Sequence, residues 1–405
     1  MNLLFVASRF PYPPSQGDRV RAYHQLKLLS KYHSITLITP VTHEANESIA
    51  AIRPFCKRIV GIPMQRHRQA LNLLKAPFEH WPLQTLYFYN PQIARAIDEI
   101  CSQEKIDLIH VQMIRMAPSV AHIHHIPVVI DLIDSLALNM RRRAQRERWW
   151  LVAQIVEQEA IRTQRYEREL ANRFNHLLIC SALDKTAIGN QDSIHIVRQG
   201  VDTTFFRSLS AQRASNTIVF SGNMGYFPNA DAAEYFITTI LPIIRQHIPE
   251  VRFQVVGGGA SKRLLALSNE PGVELVGYTT EINKYLSAAT VAVAPMRSGS
   301  GMQFKVLEAM ACGVPIVVTS FALGGIEVNH GEHLLVADQP QAVADSVVRL
   351  LKDATLRHTL ATNSRRLVEE KYSWEQSVST LEQIYDLALQ MHYQQTASSP
   401  GTQVT

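Results

Sequence analysis

The chain has 405 residues, which leaves room for two or three domains. Hydrophobic residues make up 46% and charged residues 19%, enough apolar material for buried sheets and too much for a disordered chain. The formal charge of +5 suits an anionic membrane surface, nucleic acid or a phosphorylated substrate.

Short apolar runs alternate with helical patterns from the start. In the first half, strands are expected at Asn2–Ala7, Ile35–Thr39, Arg58–Ile62, Leu108–Val111, Val128–Asp131 and His176–Cys180. Helices fit at Val20–Ser30, Pro91–Ser102 and, as one long charged helix, about Leu138 to Asn172. The run Met1 to Ala7 is too short for a signal peptide, and no apolar run reaches the ~20 residues of a membrane span. Cys56, Cys101, Cys180 and Cys312 are scattered without a CxxC pair and read as core residues of a reducing compartment. A cytoplasmic location is therefore expected.

The first strand runs into Ser8–Arg21, a loop stiffened by prolines and carrying Gly17. It is long for a simple connection and stands where ligands meet the carboxyl edge of a parallel sheet. Asp131 and Asp134 could position or deprotonate an acceptor hydroxyl, and Asp134 could equally cap the next segment. His110 either borders a ligand or is simply hydrogen-bonded structure. His122, His124 and His125 lack a matching carboxylate or cysteine set, so no metal site is expected. Arg141-Arg142-Arg143, Arg146 and Arg148 precede Trp149-Trp150; the cluster is either a solvated helix face or an anchor at an anionic lipid surface. No nucleic-acid-binding fold or stacking motif accompanies it, so nucleic acid is not an expected partner.

The boundary falls between Arg198 and Asn216, where Gln199-Gly200-Val201-Asp202 is followed by the polar linker Ser208–Asn216. Strands are then expected at Thr217–Phe220, Arg252–Val256, Val273–Leu275, Val291–Ala294, Ile316–Val318 and Leu334–Val336. Helices fit at Asp231–Ile248, Glu281–Ala288, Phe304–Cys312, Pro340–Lys352 and Ala354–Glu370. Two such alternating sets imply an α/β chain of two doubly wound, Rossmann-like domains, residues 1–199 and 200–372. A last helix, 373–390, opens on Ser373 as N-cap with Gln376 three residues on. The polar residues 393–405 are expected to be disordered.

The most informative stretch is Ala294 to Ser320. Ser298-Gly299-Ser300-Gly301 leads from a buried strand to a helix start near Met302. Unpaired N–H groups and the positive helix end there suit a phosphate. Lys305 and Glu308 share a face of that helix. A phosphate cradle, a cation and a carboxylate in this order suit a nucleoside diphosphate; the alternative is an ordinary strand–loop–helix unit in which the two charges pair. Val255–Gly259 is a weak dinucleotide fingerprint, and no Asp-x-Asp, Gly-x-Ser-x-Gly or Walker loop is present.

Leu307-Glu308-Ala309-Met310-Ala311-Cys312-Gly313-Val314-Pro315 resembles the donor-site motif of family-4 retaining glycosyltransferases, which have the two-domain GT-B fold. The resemblance implies that Glu308 holds the nucleotide ribose. The family's preceding glutamate falls on Ser300, and Gly301-Met302-Gln303-Phe304-Lys305 is similar to a branch with a Gly-x-Gln-x-Lys pattern. Ser8–Arg21 resembles the first loop of sugar transferases of bacterial exopolysaccharide and PEP-CTERM systems. Gln199–Asp202 resembles the family's Asn-Gly-Val-Asp signature, and Lys371–Glu375 the start of its final helix, which crosses back onto the first domain. Three departures stand out. Ser221-Gly222-Asn223 is not followed by the usual arginine and lysine, so the diphosphate charge falls to Arg297 and Lys305. The family's cleft histidine is replaced by Ile133, while Asp134 keeps its aspartate. Ser300 cannot carry the charge of the missing glutamate.

The resemblance implies transfer of a sugar from a nucleotide-diphosphate donor to a hydroxyl of a polysaccharide or lipid-linked acceptor, with retention, in exopolysaccharide biosynthesis. The implied catalytic residues are Lys305, Arg297 and Asp134. The implied donor-binding residues are Gly17, Gly222, Asn223, Tyr278, Ser300, Gly301, Met302, Gln303 and Glu308, with Tyr278 near the base. No metal or cofactor is implied. Peripheral contact with an anionic membrane at its cytoplasmic face is a further expectation. The alternatives are a catalytically silent GT-B subunit that binds a partner or membrane, and a sugar-nucleotide epimerase.

Overall fold

The computed structural model describes residues 1–41, 46–64, 66–76, 78–145, 147, 149–209, 214–298 and 301–398. The chain divides into two compact units, Met1–Arg198 with Ser377–Thr405, and Gln199–Gln376. Among the described residues no helix is long and apolar enough to cross a membrane.

The first unit holds strands β1 (Asn2–Val6), β2 (Ser34–Val41), β3 (Arg58–Pro63), β4 (Leu108–Gln112), β5 (Val128–Ile133), β6 (Leu177–Ile179) and β7 (Ile194–Ile196). They form one sheet in the order β3-β2-β1-β4-β5-β6-β7. Every pairing is parallel; Leu4 of β1, for example, lies opposite Thr36 of β2 and Ile109 of β4. The central strands β1 and β4 are almost wholly buried, as expected of a parallel sheet covered on both faces. The second unit holds β8 (Thr217–Ser221), β9 (Arg252–Val256), β10 (Val273–Gly277), β11 (Val291–Ala294), β12 (Ile316–Val318) and β13 (Leu335–Val336). Its sheet is also parallel, in the order β10-β9-β8-β11-β12-β13.

Several expectations need correction. The long helix over 138–172 is two helices, Leu136–Ala144 and Trp150–Arg173. A continuous helix would set Arg142 and Arg146 four residues apart, a like-charge pair that destabilises it. The fold-back lets Arg141 meet Glu157 at 3.5 Å and Gln164 at 2.8 Å instead. The helix expected from Asp231 starts at Phe227 and passes through a π-helical turn, Phe236–Ile240. Pro242, just beyond, has no N–H to continue the regular ladder. β7 was not foreseen; its three residues, Ile194–Ile196, break the apolar run with His195. The last helix runs Trp374–Ser398, through residues 393–398 that read as a disordered tail. Glutamine is a good helix former, so a polar composition does not stop a helix already nucleated. Residues 399–405 lie outside the described residues.

The return of the chain at Ser373 is tightly specified within the second unit. The Ser373 Oγ caps the helix, accepting from the Gln376 N–H at 3.2 Å. The Val201 N–H donates to the Tyr372 carbonyl at 2.8 Å. A side chain at Gly200 would meet the backbone of the buried Trp374 within 2.8 Å.

Candidate functional site

In the second unit the chain moves outward from β8 to β10 and then returns to the other side of β8 for β11. Loops leaving the carboxyl ends of β8 and β11 therefore diverge, and such a switch point is where parallel α/β sheets open a ligand crevice. Gly222 and Asn223 follow β8, and Arg297 follows β11. Gly301, Met302 and Gln303 lead into the helix Phe304–Ala311, which starts at the first residue of the expected range Phe304–Cys312. Ser300 lies outside the described residues.

The loops beside this point are knitted by backbone hydrogen bonds. The Gly222 N–H donates to the Val256 carbonyl at 2.9 Å, Met224 to Gly258 at 2.8 Å and Gly257 to Gly277 at 2.9 Å. A Cβ at Gly257 would overlap the Gly222 carbonyl, and one at Gly324 would overlap the Gly301 carbonyl. Both glycines have positive φ, +143° and +52°. These close approaches fix the backbone beside the switch point.

Lys305 is the central cation. Its Nζ donates to Asn229 Oδ1 and to Gln303 Oε1, each at 3.0 Å, and lies 5.7 Å from the centre of the Phe220 ring. Burial pushes its pKa down to about 8, against the attraction of Glu308. No ion pair joins Lys305 to Glu308, so the bland alternative of a simple helical pair is not what forms. Glu308 is partly exposed as a residue, and burial pushes its carboxyl pKa up to about 7, opposed by Lys305. Asn229 also donates from Nδ2 to the Asn223 carbonyl at 2.9 Å, and Asn223 Oδ1 accepts from the Gly225 N–H at 2.9 Å. The structure therefore links Asn223, Lys305, Gln303 and Gly301 in one network.

Arg297 is held by a carboxylate. Its Nε and Nη2 donate to Asp231 at 3.1 and 2.5 Å, and the guanidinium stacks 4.2 Å over the Tyr235 ring. Its side chain is half-exposed. One helix, Phe227–Tyr235, thus supplies partners to both cations. Tyr278 follows β10, away from the switch-point strands in the sheet order, with its residue surface 83% exposed.

Gly17 and Asp134 belong to the first unit. Gly17 opens the helix Gly17–Leu29 and is exposed. Asp134 follows β5 and accepts from Asn139 Nδ2 at 2.6 Å. Burial and then Asp184 push its pKa up to about 6. It does not cap the next helix; Ser135 does, accepting from the Leu138 N–H at 3.2 Å. Asp131 takes a structural role. Its Oδ2 accepts from Arg21 Nε at 2.6 Å and Gln25 Nε2 at 3.1 Å, and both members of the ion pair have fully buried side chains. Its other oxygen accepts from the N–H of Ile133, which has φ +73°, an unfavourable value for a β-branched residue. His110 is buried, stacked on Phe5 and bonded to Tyr385, and burial pushes its pKa down to about 4. It is structural rather than a titrating base.

The first unit has its own switch point, between β1 and β4. There Asp18 accepts from Arg9 Nε and Nη2 at 2.7 and 2.6 Å and from Arg115 Nη2 at 3.1 Å. Arg115 also donates to Ser8 Oγ at 3.0 Å and stacks 4.2 Å over Phe88. Burial lowers its pKa to about 10.

Sequence reasoning missed Asn229, Asp231, Arg21 and Arg115 as partners. Asn229 and Asp231 meet cations 76 and 66 residues away, and no local spacing signals that. Arg21 did leave a signal. The buried stripe of the helix Gly17–Leu29 reads Asp18, Arg21, Ala22, Gln25, Leu26, Leu29, so polar residues sit at core-facing spacing.

Comparison with known proteins decides the second unit. The sequence model of the family described as "Glycosyl transferases group 1" matches residues 215–353. The matched segment lies within the second unit and is about a third of the chain. The whole chain is 20% identical over 404 residues to an uncharacterized 44.6 kDa protein in the cps region of Klebsiella pneumoniae, covering 94% of this chain and 98% of that one. It is 25% identical over 214 residues to the phosphatidyl-myo-inositol mannosyltransferase of Mycobacterium tuberculosis, covering 49% of this chain and 55% of that enzyme. This match therefore spans only about half the mannosyltransferase. Among solved structures, Anabaena HepE in complex with UDP superposes with a TM-score of 0.68 at 14% identity, over 96% of this chain and 100% of that one. TarM superposes with a TM-score of 0.69 at 12% identity, over 96% and 98%. These likenesses show the GT-B fold.

Proposed function

We propose that this chain transfers a sugar from a nucleoside-diphosphate donor to a hydroxyl of a polysaccharide or lipid-linked acceptor, with retention of anomeric configuration. The observation that carries this is Lys305, held by two neutral amide oxygens beside the partly exposed Glu308 at the switch point of a group 1 domain. An ammonium bound by amides keeps its charge available for an incoming phosphate. The first turn of the helix Phe304–Ala311 adds N–H donors and a favourable dipole. Glu308 offers acceptor oxygens for ribose hydroxyls.

In the proposed reaction the bond from the anomeric carbon to the diphosphate oxygen breaks, and negative charge grows on that oxygen. Lys305 and the helix N–H groups stabilise this charge. The acceptor hydroxyl attacks the same face and passes its proton to the leaving phosphate, so no separate base is required. Arg297 would exchange part of its hold on Asp231 for phosphate. The motif Leu307–Pro315, similar to that of family-4 retaining enzymes, supports retention. The Klebsiella relative in a cps region supports an exopolysaccharide setting. The HepE complex with UDP suggests uridine nucleotides as the first donors to try.

The test is thermal unfolding with UDP, GDP, ADP and their sugar conjugates, for wild type and Glu308→Ala. A ligand at ~100 times its dissociation constant adds about 2.7 kcal/mol. Stabilisation of wild type by one nucleotide, reduced in the variant, supports the reading. One observation favours a second reading, a catalytically silent subunit: Arg297 is already held by Asp231 and Tyr235. No stabilisation by any nucleotide would select it.

A further inference from the structure

The helices Leu136–Ala144 and Trp150–Arg173 form a hairpin on the first unit, joined across by Arg141 to Glu157 and Gln164 and by Thr163 to Met140. The second helix is buried along its later part, at Ala160, Thr163, Tyr166, Glu167, Leu170 and Ala171, while its earlier part is tied by Glu157 to Arg141 and by Glu159 to the Leu83 N–H. None of residues 150–159 is buried, a stretch of about 15 Å at 1.5 Å per residue. The start of the second helix is therefore exposed.

What it exposes is apolar. Trp149 is 76% exposed, Trp150 71%, Leu151 59% and Ile155 66%. Tryptophan is usually well covered, and two adjacent exposed ones beside leucine and isoleucine mark a contact surface. The same end is strongly basic: residues 141–148 contain five arginines and one glutamate. Arg141 is spent on Glu157 and Gln164, whereas Arg142 and Arg143 make no ion pair with any described residue. Arg146 and Arg148 lie outside the described residues and enter only as sequence charge.

We propose that this hairpin end docks on an anionic phospholipid bilayer. Indole rings and aliphatic side chains would enter the headgroup boundary, and the arginines would meet lipid phosphates. The charge selects this occupant over an apolar protein groove, because such a groove would leave the arginines without counter-charges. Each arginine at an anionic surface strengthens attachment about fivefold, and salt weakens it. The inference does not depend on sugar transfer.

The experiment is flotation of the whole chain with vesicles of phosphatidylglycerol and phosphatidylcholine, and with phosphatidylcholine alone. Wild type should float with the anionic vesicles, less so at high salt, and its tryptophan emission should shift to shorter wavelength. Trp374 is buried and Trp81 is packed against the first unit's core, so the shift would come mainly from the exposed pair. Trp149→Ser with Trp150→Ser should reduce flotation at least tenfold while the unfolding midpoint stays unchanged. Arg142→Glu with Arg143→Glu should reduce it as strongly on anionic vesicles. Wild type that fails to float, or either double variant floating as well as wild type, would overturn the proposal. So would binding to an acidic protein without any binding to vesicles.

Discussion

Arg21 in the first unit and Lys305 in the second are both buried cations on a helix covering a parallel sheet, and they are held in opposite ways. Arg21 is locked to a carboxylate, with Asp131 2.6 Å away and both side chains fully buried. Its remaining donors reach the Val197 and Arg198 carbonyls at 3.1 and 3.4 Å. Lys305 is held by the side-chain amides of Asn229 and Gln303, and its nearest named carboxylate, Glu308, makes no direct ion pair with it. A charge cancelled in place serves the fold. A charge held by neutral oxygens is left for something else, and the unfavourable solvation is visible as a lowered pKa.

The contrast breaks most sharply at Asp131. Replacing it by alanine leaves Arg21 charged, buried and without its counter-ion, which should cost about 3–5 kcal/mol. Urea unfolding of Asp131→Ala should show this as a lower midpoint with an unchanged slope. A loss under about 1 kcal/mol would mean that the carbonyls alone suffice for Arg21, and the structural half of the comparison would fail.

Lys305→Met is the matching change in the second unit, and its consequence should fall on rate rather than stability. Asn229 and Gln303 are buried and each loses a donor, so the stability cost should be about 1–3 kcal/mol. If Lys305 meets the departing diphosphate, turnover should fall about 10²–10³-fold, as for loss of one transition-state donor. A variant with normal turnover but a collapsed unfolding midpoint would make Lys305 a second Arg21.

The pH dependence sharpens the same point. Glu308 titrates near 7 and Lys305 near 8, so transfer should rise as Glu308 ionises and fall as Lys305 loses its proton. The optimum should be narrow, and Lys305→Met should abolish its alkaline limb and move the acid limb to higher pH. Stability has its own signs. Between the usual 4.5 and about 7 the native Glu308 holds a proton that the unfolded chain has lost, so stability falls as pH rises through that window. Between about 8 and the usual 10.5 the unfolded chain holds the proton on Lys305, so stability rises with pH there. A flat rate profile from pH 6 to 9 would remove both groups from the reaction.

The fold was legible because its signal is local. Strands such as Val291–Ala294 and Ile316–Val318 are unbroken apolar runs between helical patterns, and they lie where that pattern put them. The helix bearing Lys305 and Glu308 was legible through its motif. Their partners were not, because contact between residues 66–76 apart in sequence is decided by sheet order. The fold-back at 145–149 was also hidden: helical periodicity runs through the arginines, and only like-charge repulsion with the cross-hairpin Arg141–Glu157 contact accounts for the break. Arg21 shows the reverse case, a residue whose burial could have been read from its helix spacing but whose charge hid it.

The smallest effect should come from the layer beneath Arg21, where the last helix meets the sheet. Tyr385 on the helix Trp374–Ser398 is fully buried, and its hydroxyl lies 2.9 Å from His110 Nδ1. His110 is neutral, and its Nε2 faces Asp131 at 3.9 Å, so the tautomer with hydrogen on Nε2 is favoured and Tyr385 donates to Nδ1. Tyr385→Phe keeps the ring but leaves that nitrogen buried and unpaired, a loss of about 1–3 kcal/mol. Adding His110→Phe removes the stranded acceptor and preserves the aromatic contact with Phe5, so the double variant should regain part of the loss. Strictly additive losses in this cycle would show that the hydroxyl and the imidazole act independently, and that the last helix is held by its apolar face alone.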